Sequence, residues 1–101
     1  MDLIKDTNYI LIQGWMITKL KLEGKKLLLF ALIYGFTQVE DTWFTGSAKY
    51  CAQWCNCSDK YILKLLKELV EAGYVEKETV YKDDGSIAGI RCRTTIRPKI
   101  E

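Results

Sequence analysis

The sequence predicts an α+β fold: about four helices, the last two joined by a tight turn, followed by a C-terminal β-hairpin and a short third strand. Three observations predict it. Ser58–Gly73 has a capping serine at one end, a glycine stop at the other and a two-faced apolar pattern between them. Ser47–Trp54 reads as a shorter capped helix, separated from the first by only Cys55-Asn56-Cys57. After Gly73 the apolar period falls from about 3.6 to about 2, and Asp84-Gly85 sits between two β-prone runs.

In chain order, residues 1–8 are expected to be a loosely held lead-in. Tyr9–Gln13 is a short apolar β-prone run stopped by Gly14, and Trp15–Leu20 a short helix anchored by Trp15 and Ile17. Lys25–Phe36 is apolar almost all round, which predicts a buried central helix with Lys25 and Lys26 at its wet end. Thr37–Asp41 reads as a polar loop and Trp43-Phe44-Thr45 as a strand. Two helices in so tight a break need a small residue where they cross, a residue tolerant of positive φ at the turn and a buried aliphatic beyond it. Ala52, Asn56 and Ile62 supply these in order. In the following helix Ile62, Leu65, Leu66 and Leu69 share one face at about 100° per residue, with Lys60, Lys64 and Lys67 near the opposite side. The hairpin runs are Tyr74–Lys82 and Ile87–Ile96. A two-residue Asp84-Gly85 turn would set Glu78 opposite Arg91 and Glu76 opposite Arg93. A helix-turn-helix followed at once by a hairpin is the winged variant, so the predicted fold is a single winged helix-turn-helix domain over 1–101.

Composition narrows the function. The chain has 101 residues, 49% of them hydrophobic, and a net charge of +2. Residues 1–57 carry +1, residues 58–86 carry −2 and residues 87–101 carry +3, so the positive excess lies at the end of the chain. There is no histidine, no paired-carboxylate motif and no phosphate-cradling glycine loop, which argues against an enzyme. The most apolar run, Leu27–Phe36, is far shorter than the roughly 20 residues of a membrane span. With no signal peptide visible, a cytoplasmic protein without a membrane partner is expected. Cys51, Cys55, Cys57 and Cys92 are expected to be reduced apolar residues, because Cys-x3-Cys-x-Cys is not a common zinc spacing; no cofactor or metal is expected.

The lysine side of Ser58–Gly73 is the candidate site. Entering a major groove N-terminus first, such a helix would bring Lys60, Tyr61 and Lys64 nearest the base edges and Lys67 nearer phosphate. The hairpin would add Lys82 and the row Arg91, Arg93, Arg97 and Lys99, which an unbroken strand places on one face. The expected partner is therefore double-stranded DNA. Three acids, Asp59, Glu68 and Glu71, offset the three lysines within the helix. That neutrality keeps a second class open, a module that binds a host protein, with Leu63 and Val70 as a flank for a partner or a homodimer.

The segments Tyr9-Ile-Leu-Ile-Gln-Gly-Trp-Met-Ile, Leu28-Leu-Phe-Ala-Leu-Ile-Tyr-Gly-Phe, Phe44-Thr-Gly-Ser and Leu66-Lys-Glu-Leu-Val-Glu-Ala-Gly-Tyr-Val resemble winged-helix proteins of phages, plasmids and integrative elements of low-GC Gram-positive bacteria. These are helix-turn-helix or replisome-organiser-like proteins with the winged helix at the N-terminus of a longer chain. The resemblance covers most of residues 8–76. It implies the winged-helix fold and a role in transcription or replication of a mobile element. It also implies, as the second class, binding or inhibition of a host protein such as a replication factor or a phage-defence nuclease. The sequence departs from the pattern after the capping serine, where Asp59-Lys60-Tyr61 replaces a basic triplet, and a replication-related C-terminal region is not expected of it.

Overall fold

Residues 4–38 and 42–96 are described by a computed structural model. The element order is α1 (Gly14–Thr18), α2 (Gly24–Phe36), α3 (Ala48–Cys55), α4 (Asp59–Glu71), β1 (Val75–Tyr81) and β2 (Ile87–Thr94). The fold is α+β, with four helices and a two-stranded antiparallel hairpin among the described residues.

Helix α2 is the centre of the molecule. Every residue from Leu29 to Tyr34 is buried, so it must be covered on all sides. Trp15 from α1 closes one side, with its ring 5.9 Å from Phe30 and 5.2 Å from Tyr34. The stripe Ile62, Leu65, Leu66 and Leu69 of α4 joins the same core, as do Val75 and Cys92 of the hairpin. Thr37 ends the helix with its hydroxyl on the Ile33 carbonyl (2.9 Å) and beside the Thr94 hydroxyl (3.3 Å). That buried hydroxyl pair ties the helix end to β2 with its polar groups satisfied.

Local chemistry sets the ends of α3 and α4. Ser47 and Ser58 each cap the helix that follows, accepting from the Tyr50 and Tyr61 N–H groups at 3.1 Å. Asn56 stands in the left-handed region at φ 53°, and the Cys57 N–H returns to the Ala52 carbonyl at 3.1 Å. The turn therefore forms as its asparagine predicted, with Ala52 buried at the crossing. At the far end of α4, Gly73 takes φ 82°. Its N–H reaches the Val70 carbonyl, and the Tyr74 N–H reaches Leu69, both at 3.0 Å. The left-handed residue and its paired return bonds turn the chain directly into β1.

The hairpin register matches the expectation by a different route. Glu76 faces Arg93 and Glu78 faces Arg91. The loop, however, is not a two-residue Asp84-Gly85 turn. The Gly85 N–H bonds the Lys82 carbonyl (2.9 Å), the Lys82 N–H bonds the Ser86 carbonyl (2.7 Å), and Gly85 has φ 88°. Asp83, Asp84 and Gly85 thus form a three-residue loop with a left-handed glycine. Asp84 stiffens it by accepting from the Ser86 N–H (2.9 Å) and hydroxyl (2.6 Å), which lowers its carboxyl pKa. A bulge then shifts the pairing so that Tyr81 faces Ile87 while Val80 faces Gly89. The longer loop and the bulge cancel, which leaves the inner register where the shorter turn would have put it.

Two predicted strands are corrected. Tyr9–Gln13 forms no strand. Its segment runs beside α2 with Ile10 packed on the core and Tyr9 and Leu11 exposed. A β-prone run becomes a strand only where another strand offers its edge, and the described chain offers none here. The third strand at Trp43–Thr45 shrinks to a single bridge in which Phe44 and Cys92 exchange hydrogen bonds of 2.7 and 2.9 Å. The expected helix Trp15–Leu20 begins and ends slightly earlier, as Gly14–Thr18, and Met16, not the exposed Ile17, is its buried anchor beside Trp15. The lead-in is held locally by a turn, Asn8 N–H to the Lys5 carbonyl at 2.9 Å.

Gly46 follows that bridge, and a β-carbon on it would overlap the buried Phe44 ring. The ring is hemmed in by Phe36 (5.1 Å) and Tyr50 (6.4 Å between centroids). Gly46→Ala should cost about 1–3 kcal/mol. Gly35→Ala, at an exposed helical position with nothing near its added methyl, should be neutral or stabilise by up to about 1 kcal/mol. Thermal denaturation of the two variants checks the pair; equal melting temperatures would contradict this account of Gly46.

Candidate nucleic-acid interface

The outward face of α4 carries the predicted residues. Lys60, Lys64 and Lys67 are exposed, and Tyr61 is 39% exposed at the edge of a cleft. The helix turns its aliphatic stripe inward, so the intervening positions must point out. Lys64 lies over the Tyr61 ring with its ammonium 5.7 Å from the centroid. Lys67 is 4.0 Å from Glu71 one turn on, a wide pair between two largely exposed side chains that screens little of either charge.

The fold adds lysines that pattern reasoning did not assign. A cleft beside α4 is lined by Lys64 and Tyr61 from that helix, by Lys21 from the segment before α2 and by Lys25 and Lys26 from the first turn of α2, with Glu23 and Glu68 among them. Lys25 donates to the Asn56 carbonyl at 3.1 Å, so it also holds the α3–α4 turn. Lys26 sits 3.4 Å from Glu68 of α4. Both contacts join residues more than thirty positions apart, a separation at which helical periodicity carries no signal. The basic surface therefore extends sideways from α4 onto the N-terminus of α2, where the helix dipole adds partial positive charge.

The hairpin arginines are used internally. Arg91 meets Glu78 at 2.7 Å and Arg93 meets Glu76 at 2.9 Å. Both guanidinium groups also lie 4.3 Å from the Trp43 ring centroid. Trp43, read from sequence only as part of a strand, is the platform under both arginines. Each arginine thus joins a cross-strand ion pair and a cation–π contact, an arrangement that stiffens the wing and shields its charge. Lys82 is exposed next to the loop. Arg97 and Lys99 lie outside the described residues.

Between α4 and the hairpin tip runs a groove of about 540 Å³ lined almost wholly by apolar side chains, among them Leu63, Val80, Ile87 and Ile90. Leu63 is 50% exposed, Ile87 64% and Ile90 40%, far more than their apolar surface favours. Leu63 is a flank position legible in the helical period of α4, whereas Ile90 meets it only through the folding back of the hairpin. Val70, its companion on the predicted flank, packs instead against the core.

The cysteines lie under this surface. Cys51, Cys55 and Cys92 are buried, and Cys57 is half-buried at the turn. Burial raises the Cys51 thiol to about 12 and the Cys55 and Cys92 thiols to about 11. Such thiols are poor nucleophiles and poor metal ligands at neutral pH. Among the described residues no three histidine, cysteine or acidic side chains are grouped to hold a metal, and no helix is long and apolar enough to cross a membrane.

Because the folded thiols titrate above the unfolded value of about 9, the stability they contribute is complete below pH 9 and is lost as pH rises through 9 towards 11. Melting temperature should therefore fall on alkaline titration above pH 9, and fall less steeply in Cys51→Ala. Iodoacetamide at neutral pH should label Cys57 rapidly and the other three only after denaturation. Rapid native labelling of Cys51 would refute the burial account. Comparison with protein families, with curated proteins and with solved structures found no match for this chain.

Proposed function

We propose that this chain is a winged helix-turn-helix module that binds double-stranded DNA, with α4 as the helix that enters the major groove. The observation that carries the reading is the uncovered lysine side of α4, continuous with the lysines at the start of α2. The left-handed turn at Asn56, the capped α4 and the hairpin that follows supply the element order of that fold. Lys60, Tyr61 and Lys64 are the base-edge group, and Lys67 with the α2 lysines meets phosphate. Arg91 and Arg93 hold the wing rigid, and Lys82 is its contact near the tip. The resemblance to mobile-element proteins extends the proposal to control of transcription or replication on such an element.

The apolar groove favours a second reading, a module that docks a host protein. A surface between reading helix and wing that met only DNA would have no use for exposed Leu63, Ile87 and Ile90.

Fluorescence anisotropy with mixed-sequence duplex DNA separates the two. With about four lysine–phosphate contacts, from Lys25, Lys26, Lys67 and Lys82, binding should weaken roughly 150-fold between about 50 and 200 mM salt. Lys60→Ala combined with Lys64→Ala should abolish binding at the higher salt and leave the melting temperature unchanged. No binding at the lower salt would end the DNA reading and leave the second standing. Full affinity in the double variant would remove α4 as the reading helix.

A further inference from the structure

We propose that the outer edge of β2 takes up an extended peptide strand of a partner protein, seated in the groove between the hairpin and α4. This rests on the second reading above and names the partner's chemistry.

Cys92 spends its N–H and carbonyl on Phe44, so both point away from β1. Backbone groups alternate along an antiparallel strand, so those of Arg91 and Arg93 point towards β1 and those of Ile90 point outward. The Thr95 N–H bond to the Tyr74 carbonyl (3.0 Å) fits that phase. After Phe44 the chain leaves the edge, because its only bridge to β2 among the described residues is the one at Cys92. Among the described residues the position of a third strand at Ile90 is therefore open, with one donor and one acceptor directed into it.

The opened space is the groove. The departing segment from Thr45 to Ser47 forms one wall, Leu63 and Leu66 of α4 another, and Ile87 to Ile90 the edge itself. An added strand would continue the line that Phe44 begins and send alternate side chains down towards Leu66. Among the described residues no charged side chain lines the groove. Exposed lysines flank its α4 wall: Lys60 and Lys67 lie one turn before and after Leu63, with Lys67 4.0 Å from Glu71. The fitting ligand is a peptide with aliphatic residues at alternate positions and acidic residues beyond them.

The test uses the full chain and a fluorescein-labelled peptide of about eight residues, valine and threonine alternating, with glutamates at both ends. Saturable binding is expected, with slowed amide exchange at Ile90. Ile90→Pro should weaken it about tenfold or more and preserve the melting temperature, since the lost N–H takes no part in the β1 ladder. Should that variant melt early, the peptide N-methylated at alternate residues asks the same question from the ligand side, and Leu63→Glu should weaken binding by repelling the acidic ends. No saturable binding, or equal binding of the N-methylated peptide, would overturn the proposal. So would sedimentation showing a dimer of the chain together with slowed amide exchange at Ile90 in the absence of peptide. A host protein captured without competition from the peptide would keep the second reading and sink this one. DNA binding, present or absent, leaves the outcome unaltered.

Discussion

A helix buried over its whole middle turn is the constraint from which the other contacts follow. Between Leu29 and Tyr34 no residue of α2 reaches solvent, so no single layer can cover it. Trp15 closes one side, α4 supplies an aliphatic stripe and the hairpin adds Val75 and Cys92. Each covering element has only one apolar face, and spending that face on α2 dictates what it shows to the outside. The lysines of α4 are exposed because Ile62, Leu65, Leu66 and Leu69 are committed inward.

Charge is distributed by the same logic, but not as a simple basic surface. The arginines of β2 and the glutamates of β1 neutralise one another across the ladder, and Trp43 holds both guanidinium groups. Lys26 and Glu68 bridge two helices, while Lys25 satisfies a turn carbonyl. What stays unspent is a lysine flank on one side of α4 and an apolar groove on the other. A helix with two unlike flanks supports two kinds of ligand, phosphate on the first and an aliphatic chain on the second. The two proposals differ in which flank meets the partner.

The elements that were legible in the residues are those whose signals are local. Ser47 and Ser58 mark helix starts, Gly73 marks an end and Asn56 marks the turn, because caps and left-handed positions are decided within a few residues. Where local preference competed with the need for a partner, it misled. Tyr9–Gln13 has strand composition but lies beside α2, where the described residues place no strand edge, and Trp43–Thr45 keeps one bridge. The hairpin register was legible although the turn was not, since a longer loop and a bulge shift the pairing by equal and opposite steps.

The sequence by itself determined the order of the helices and hairpin, the aliphatic side of α4, the left-handed turn at Asn56 and the cross-strand pairing of Glu76 and Glu78 with the arginines. All of these depend on periodicity or on positions a few residues apart. Only the tertiary structure decided that Lys21, Lys25 and Lys26 stand beside Lys64, that Trp43 lies under Arg91 and Arg93, and that Leu63 faces the open edge at Ile90. Those juxtapositions join segments remote in the chain. They arise from how α2 is covered, a choice made by packing among whole elements and written in no single stretch of residues.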